Sequence, residues 1–371
     1  MEKIRLSKSC LSNKEISAVN AVMRNEFLGM GTQVKEFEIL LKDYLETDMH
    51  VVCVNTGTSA LLLALSSIGI KPGDEVLVPS LTYVASFQAI SALGAIPIAC
   101  DIQSDSLFLD VNDAESRITE RTKAIMPVHY AGSSEGISDV YEMSNKYGFH
   151  VIEDAAHSFG GDGIGQSGDV ICFSFDGIKN ITSAEGGAIL TNDEVLARRL
   201  RDERLLGVIG DSKKRFSGKR SWEFDVEHQG YRFHMSNINA AIGIEQLKRL
   251  PKFSEKRRRI AKVYLDELSS IPGISFPSFN FDAIVPHIFV IKAHYRDELR
   301  HYLASENIET GVHYRPNHLL TKYRCDYDLV NTEKAYTQII SLPCHPDLSE
   351  TDLGYVTSKI KYFYMKNLFL K

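Results

Sequence analysis

The chain has 371 residues, 44% hydrophobic and 24% charged, with a formal net charge of −6. That length exceeds one ordinary domain, and the balance is that of a globular protein able to bury a sizeable core. The negative charge argues against general nucleic-acid binding, no apolar run approaches a membrane span, and the first residues lack the apolar centre of a signal peptide.

A cytoplasmic location is therefore expected, with no nucleic-acid partner and no membrane insertion. The cysteines Cys10, Cys53, Cys100, Cys172, Cys325 and Cys344 are scattered and form no metal-type cluster. Several fall in apolar runs, so reduced core thiols and no bound metal are expected.

From about residue 50 to 200, strand-like runs alternate with helix-like runs. Residues 51–54 lead into an apolar helix at 59–68, and 75–79 precede a helix at 85–93. Runs at 96–100, 124–128 and 151–154 continue the series. Residues 170–175 alternate apolar and polar and end in a turn carrying Lys179, after which Gly186 and Gly187 open a strand at 188–191. This pattern predicts an α/β fold, a mostly parallel central sheet flanked by helices. Ligands of such sheets bind beyond the carboxyl ends of the strands, where Asn55, Pro79, His129 and Asp154 fall.

Residues 207–230 break the pattern with Lys213, Lys214, Arg215, Lys219 and Arg220. They read as a solvated loop, contact with a diphosphate being the alternative. Beyond Leu250 and Pro251, long helices at 254–269, 296–307 and 352–368 surround a few strands, including 287–291. The expected organisation is an N-terminal segment (1–15) packing with the small domain, a large α/β domain (16–250) and a smaller C-terminal α+β domain (251–371).

The chemistry concentrates between residues 151 and 193. Asp154 ends one apolar strand and Lys179 follows another, with Ser174 between them. A lysine beside a buried strand end is desolvated, which lowers its pKa and frees its amine as a nucleophile. A nearby Asp can hold a proton on a ring nitrogen. Schiff-base lysine plus pyridinium-binding carboxylate is the protein's share of pyridoxal phosphate chemistry. Gly57 and Thr58 open the helix at 59–68, where free N–H groups face an anion.

Six ordered segments carry a family resemblance: NTGTSALLLAL (55–65), PGDEVLVPSLTYVAS (72–86), RTKAIMPVHYAG (121–132), the 151–193 block, GYRFHMSNINAAIGIEQL (230–247), and HYRPNH (313–318) with SLPCHPDLSE (341–350). Over nearly its whole length the chain resembles the DegT/DnrJ/StrS aminotransferases. These are fold-type I pyridoxal phosphate enzymes that aminate keto groups on nucleotide-linked sugars. The resemblance implies that Lys179, in FSFDGIKN, is the Schiff-base lysine and later the base that moves a proton. It implies that Asp154 pairs with the pyridine nitrogen and that His157 contacts the ring or its phenolic oxygen. Tyr83 would stack on the cofactor, and Thr58 and Ser174 would add hydroxyls for its phosphate.

Arg232 stands where many relatives carry an Asn that reaches the phosphate of the adjacent subunit's cofactor. It is assigned to cofactor binding, with the substrate diphosphate as the alternative, and a homodimer with shared active sites follows if the contact crosses subunits. His313, Tyr314 and His318 lie in a segment that faces the substrate entrance in relatives and are assigned to substrate binding. The stretch between Asp154 and Phe173 is a few residues shorter than in relatives. Its GGDGIGQSGD lacks the following helix that a dinucleotide loop requires, so a trimmed hairpin is expected.

The implied reaction passes an amino group from L-glutamate, through pyridoxamine phosphate, to a nucleotide-activated keto-sugar. KNITSAEGG is closer to a KN-x-T-x-GEGG form, with Ala184 in place of the usual Gly, which the resemblance associates with amination at C4 of 4-keto-6-deoxyhexoses. Relatives acting at C3 more often read GDGG. The expected product is a 4-amino-4,6-dideoxy sugar for a surface polysaccharide such as a lipopolysaccharide O-antigen. A C3 sugar or cyclitol aminotransferase, and a non-catalytic regulator that binds pyridoxal phosphate, are the alternatives. Lys179 argues against a related dehydratase branch that carries His there. The lack of a G-x-G-x-x-G after the first strand argues against a nicotinamide dehydrogenase.

Overall fold

The computed structural model describes residues 2–219 and 222–368. Its main sheet contains β1 (His50–Val54), β2 (Glu75–Pro79), β3 (Ile96–Cys100), β4 (Thr122–Ile125), β5 (His150–Asp154), β6 (Val170–Ser174) and β7 (Gly187–Thr191). The order is β1-β7-β6-β5-β4-β2-β3. Neighbours from β3 to β6 are parallel, while β7 runs antiparallel to both β1 and β6. The strands are apolar throughout because both faces are covered. Val52 and Val54 pack with the helix Gly57–Ser67 on one face. Val51 and Cys53 pack with the helix Thr32–Tyr44 on the other, as a side-chain period of two requires. The expected α/β fold with its mostly parallel sheet is thus present, with element ends shifted by a few residues.

Two expectations are corrected. No hairpin links Asp154 to β6: β5 and β6 are parallel neighbours, and a hairpin joins only antiparallel strands. The connection is a run of turns with Gly160, Gly163, Gly165 and Gly168 at positive φ. The basic segment is not loop throughout either. Asp211–Phe216 forms a short helix in which Arg215 Nε donates to Asp211 at 2.6 Å. Arg220 lies outside the described residues.

A second, antiparallel sheet of β8 (Ile274–Ser275), β9 (Phe289–Ala293) and β10 (Ile339–Leu342) has the order β10-β9-β8. It shares a separate core with the helices Arg296–Ser305 and Glu350–Leu368, built on Phe289, Ile291, Leu299, Leu303 and Val356. The 32-residue helix Asn237–Leu268 joins the two cores. The Ser236 side chain caps it by accepting from the Asn239 N–H. It gives Ile244 and Leu247 to the main core, continues through Pro251, and gives Ile260 and Leu268 to the small one. The helix Asn13–Arg24, closed by a Ser12–Glu15 capping box, packs along it, and Ile4 bridges to Ile308.

All six cysteines are free thiols, and all but Cys325 are buried. Among the described residues, no helix is long and apolar enough to cross a membrane.

Candidate active site

The carboxyl ends of β5 and β6 face the small sheet across a cavity of about 440 Å³. Gly57, Thr58, Tyr83, Asp154, His157, Ser174, Lys179, His313 and Tyr314 all line it. The sequence scatters these residues over more than half the chain, and strand ends gather most of them.

One end of the cavity is a ready anion site. Thr56 caps the helix Gly57–Ser67 by accepting from the Ser59 N–H at 2.9 Å, so the first N–H groups beyond it stay free. A Cβ on Gly57 would sit 2.7 Å from Ser174 Cβ. Glycine is therefore what lets the helix start and the end of β6 converge on one point, with the exposed Thr58 beside them.

Asp154 sits on the cavity floor, where its Oδ2 accepts from Ser86 Oγ at 2.8 Å and its Oδ1 from the Ala156 N–H at 3.2 Å. Burial pushes its pKa up, and these two donors pull it back. Lys179 follows in the turn after β6. Burial lowers its pKa to about 8, against the opposing pull of Asp154 and Asp176. Roughly one amine in ten is then uncharged at pH 7, where an ordinary lysine has almost none. Asn180 anchors the turn, its Nδ2 donating to Phe159 O and Val285 O. Ala184, where the glycine of the usual motif would stand, has φ of 66°, in the left-handed region.

The opposite wall is aromatic and neutral. Tyr83 is 58% exposed, too open for a core tyrosine, and its ring lies 5.5 Å from that of Tyr314. Tyr314 Oη and His157 Nε2 are 2.9 Å apart, while His157 Nδ1 is buried without a partner among the described residues. Burial holds His157 well below the usual histidine range. His313, its Nδ1 2.7 Å from Ser341 Oγ, is lowered to about 4 by burial and by Lys179.

Arg232 and His318 do not line the cavity. Arg232 is exposed and bridges to Leu205. His318 is buried, with Nδ1 2.7 Å from Ser80 Oγ and Nε2 3.2 Å from Glu333. Its ring ties the segment after Pro316 to the end of β2.

The motifs marked Glu185 only as the acidic residue of EGG, and gave no place to Ser86, Asp176 or His287. Asp176, Glu185 and His287 line the cavity, and Ser86 holds Asp154. Ser86 was findable, because a residue one helical turn after Tyr83 lies near the same face. His287 gave no signal, being a lone histidine ahead of a strand.

The residues suit pyridoxal phosphate. A buried carboxylate, an amine of lowered pKa, an exposed tyrosine ring and a glycine-opened helix start with a serine hydroxyl all converge on one cavity. The unpartnered His157 Nδ1 leaves a further polar atom for a ligand.

Comparison with known proteins agrees. Residues 9–361 match the model of the DegT/DnrJ/EryC1/StrS aminotransferase family. The chain is 35% identical to a UDP-4-amino-4-deoxy-L-arabinose--oxoglutarate aminotransferase of Shewanella sediminis, over 97% of each chain. Its fold is similar to that of S. venezuelae DesV, solved in complex with a ketimine intermediate. That match has a TM-score of 0.90 and 33% identity, covering 98% of this chain and 99% of that one. It is also similar to the putative sugar aminotransferase Spr1654 of Streptococcus pneumoniae in its PMP form. There the TM-score is 0.90 and the identity 30%, over 99% of each chain.

Proposed function

We propose that this chain, which belongs to the DegT/DnrJ/EryC1/StrS aminotransferase family, moves an amino group from L-glutamate to C4 of a nucleotide-linked 4-keto-6-deoxyhexose. Membership makes it a pyridoxal phosphate-dependent sugar aminotransferase, and relatives solved in PLP and PMP forms agree with that cofactor. The products are 2-oxoglutarate and a 4-amino-4,6-dideoxy sugar, destined for a surface polysaccharide such as an O-antigen. The observation that carries this reading is that Lys179, Asp154 and Glu185 line one cavity, Glu185 being the acidic residue of the EGG motif. The Shewanella relative supports amination at C4 and glutamate as donor, since its name couples a 4-amino sugar to oxoglutarate; that sugar is a pentose, so the 6-deoxyhexose rests on the KNITSAEGG resemblance alone.

Pyridoxal phosphate, when bound, supplies an aldehyde that joins an amine and a ring that draws electrons from it. The N–H groups of Gly57 and Thr58, with the Thr58 and Ser174 hydroxyls, would hold its phosphate. Tyr83 would cover one ring face, and Asp154 would hold a proton on the ring nitrogen. His157 would contact the ring or its phenolic oxygen. Lys179, whose amine gives up its charge readily, would supply the nucleophile and then the base that carries a proton between carbon atoms. His313 and Tyr314 would meet the sugar at the small-sheet wall.

The same reading makes the active unit a cytoplasmic homodimer. Arg232, exposed and outside its own chain's cavity, is disposed as a residue serving a partner's phosphate would be. The division into 1–15, 16–250 and 251–371 belongs to the reading too, supported by the separate core around β9 and β10.

The test is to incubate the cofactor-loaded protein with L-glutamate and a panel of 4-keto and 3-keto nucleotide sugars, then read the products by NMR. An amino group at C4 is expected; amination at C3 alone, or of no sugar, would overturn the finer reading.

A further inference from the structure

His287 Nε2 lies 3.4 Å from Lys179 Nζ. The pair is 108 residues apart in sequence, and the family motifs and the roles given above leave His287 without a task. An ammonium has three donors and no acceptor. Whenever Lys179 is charged, the imidazole must therefore accept at Nε2 and carry its own proton on Nδ1. That Nδ1 is buried and has no partner among the described residues. The ring is thus held toward Lys179 by something other than its own second nitrogen.

The ring packs against that of His157, with centroids 4.6 Å apart, and the backbone that carries it is held by Arg257. Its buried guanidinium donates from Nη1 to Pro286 O at 3.2 Å, His287 O at 3.1 Å and Cys344 O at 2.7 Å. Among the described residues no carboxylate pairs with it. It clamps the backbone that presents His287, and it sets a positive charge behind the ring. The groups that weigh most on His287 are Lys179, His157, Arg257 and His313, and all oppose a charge on it; the cavity also holds Asp154, Asp176 and Glu185.

We propose that His287, clamped by Arg257, is the positioning residue that holds the Lys179 amine while it is not bonded to the cofactor, as a neutral hydrogen-bond acceptor that adds no counter-charge to that of Asp154 and Asp176. A carboxylate at this position would also hold the amine, but it would pin it as an ammonium. A neutral imidazole directs Nζ into the cavity and leaves it easy to deprotonate.

The inference rests on Lys179 being the residue that bonds pyridoxal phosphate. The experiment follows the absorption change when pyridoxal phosphate is added to the cofactor-free protein across pH 6 to 10, for wild type, His287→Gln, His287→Ala and His287→Glu. Wild type should lose rate as pH falls below about 8. His287→Gln keeps an acceptor at the position of Nε2 and should stay within about threefold of wild type with the same midpoint. His287→Ala should be about tenfold slower at every pH. His287→Glu, whose carboxylate reaches the position of Nε2, should move the midpoint up by about one unit or more, as a carboxylate beside an ammonium does. Midpoints and rates that are the same in all four proteins would overturn the proposal. No band in wild type would instead sink the assignment of Lys179. A measurement on wild type alone covers variants that fail to fold: NMR of ¹⁵N-histidine-labelled protein. One buried imidazole should carry its proton on Nδ1 and shift as Lys179 titrates, and the shift should vanish in Lys179→Met. A histidine spectrum indifferent to Lys179 would contradict the contact.

Discussion

The two walls of the cavity treat charge in opposite ways. On the main-sheet wall, Asp154 is a buried carboxylate fixed by Ser86 and the Ala156 N–H. On the small-sheet wall, His287 and His313 are held below the usual histidine range by burial and by Lys179 itself. Lys179 lies between a wall that attracts its charge and a wall that only hydrogen-bonds to it. Its reactivity comes from that imbalance, because desolvation outweighs the pull of Asp154 and Asp176. More counter-charge would leave an inert ammonium.

The bluntest way to break the comparison is to remove the group between the walls. Lys179→Met should lower amino transfer by at least about 10³-fold. The same substitution sharpens the charge argument through stability. The folded-state pKa is lowered to about 8 from 10.5, so between those values the unfolded chain binds more protons and wild-type stability rises with pH. The cofactor-free Met variant should therefore be more stable than wild type by about 1–2 kcal/mol at pH 7, after allowing for the access of Lys179 to the cavity. The advantage should shrink through the window from pH 8 to 10.5, as read by urea denaturation.

Removing the charge of the first wall comes next. Asp154→Asn should lower turnover by roughly 10²- to 10³-fold while the protein stays folded, as checked by turnover assay and circular dichroism. Ser86→Ala should act in the same direction more weakly. It strips one donor from Asp154, raises the carboxyl pKa further, and should cost roughly tenfold in turnover and about 1–3 kcal/mol in stability. The smallest effect lies outside both walls. Ala184→Gly should stabilise the protein by about 1 kcal/mol, by relieving a left-handed residue, with turnover unchanged; thermal melts compared at equal cofactor occupancy check it.

The same contrast explains what the sequence made legible. On the main-sheet wall, Asp154, Ser174, Lys179 and Gly57 fall at strand ends or helix starts. There, hydrophobic patterning and local motifs already say where a side chain will stand. His287 reaches Lys179 only because a second sheet folds back against the first, and no local pattern encodes that return. His318 shows the converse, a motif histidine whose two nitrogens are spent on Ser80 and Glu333. The absent hairpin after Asp154 has a related cause. Glycine-rich turns look alike in sequence, whether the next strand returns antiparallel or, as β6 does, lines up in parallel.

The most direct test of Lys179 as the reactive centre of this cavity is the absorption spectrum of the protein with pyridoxal phosphate, before and after L-glutamate. A visible band that forms with wild type, is missing in Lys179→Met, and converts to the pyridoxamine phosphate spectrum on adding L-glutamate is the predicted result. A band that survives in the variant, or no band in wild type, would contradict the account.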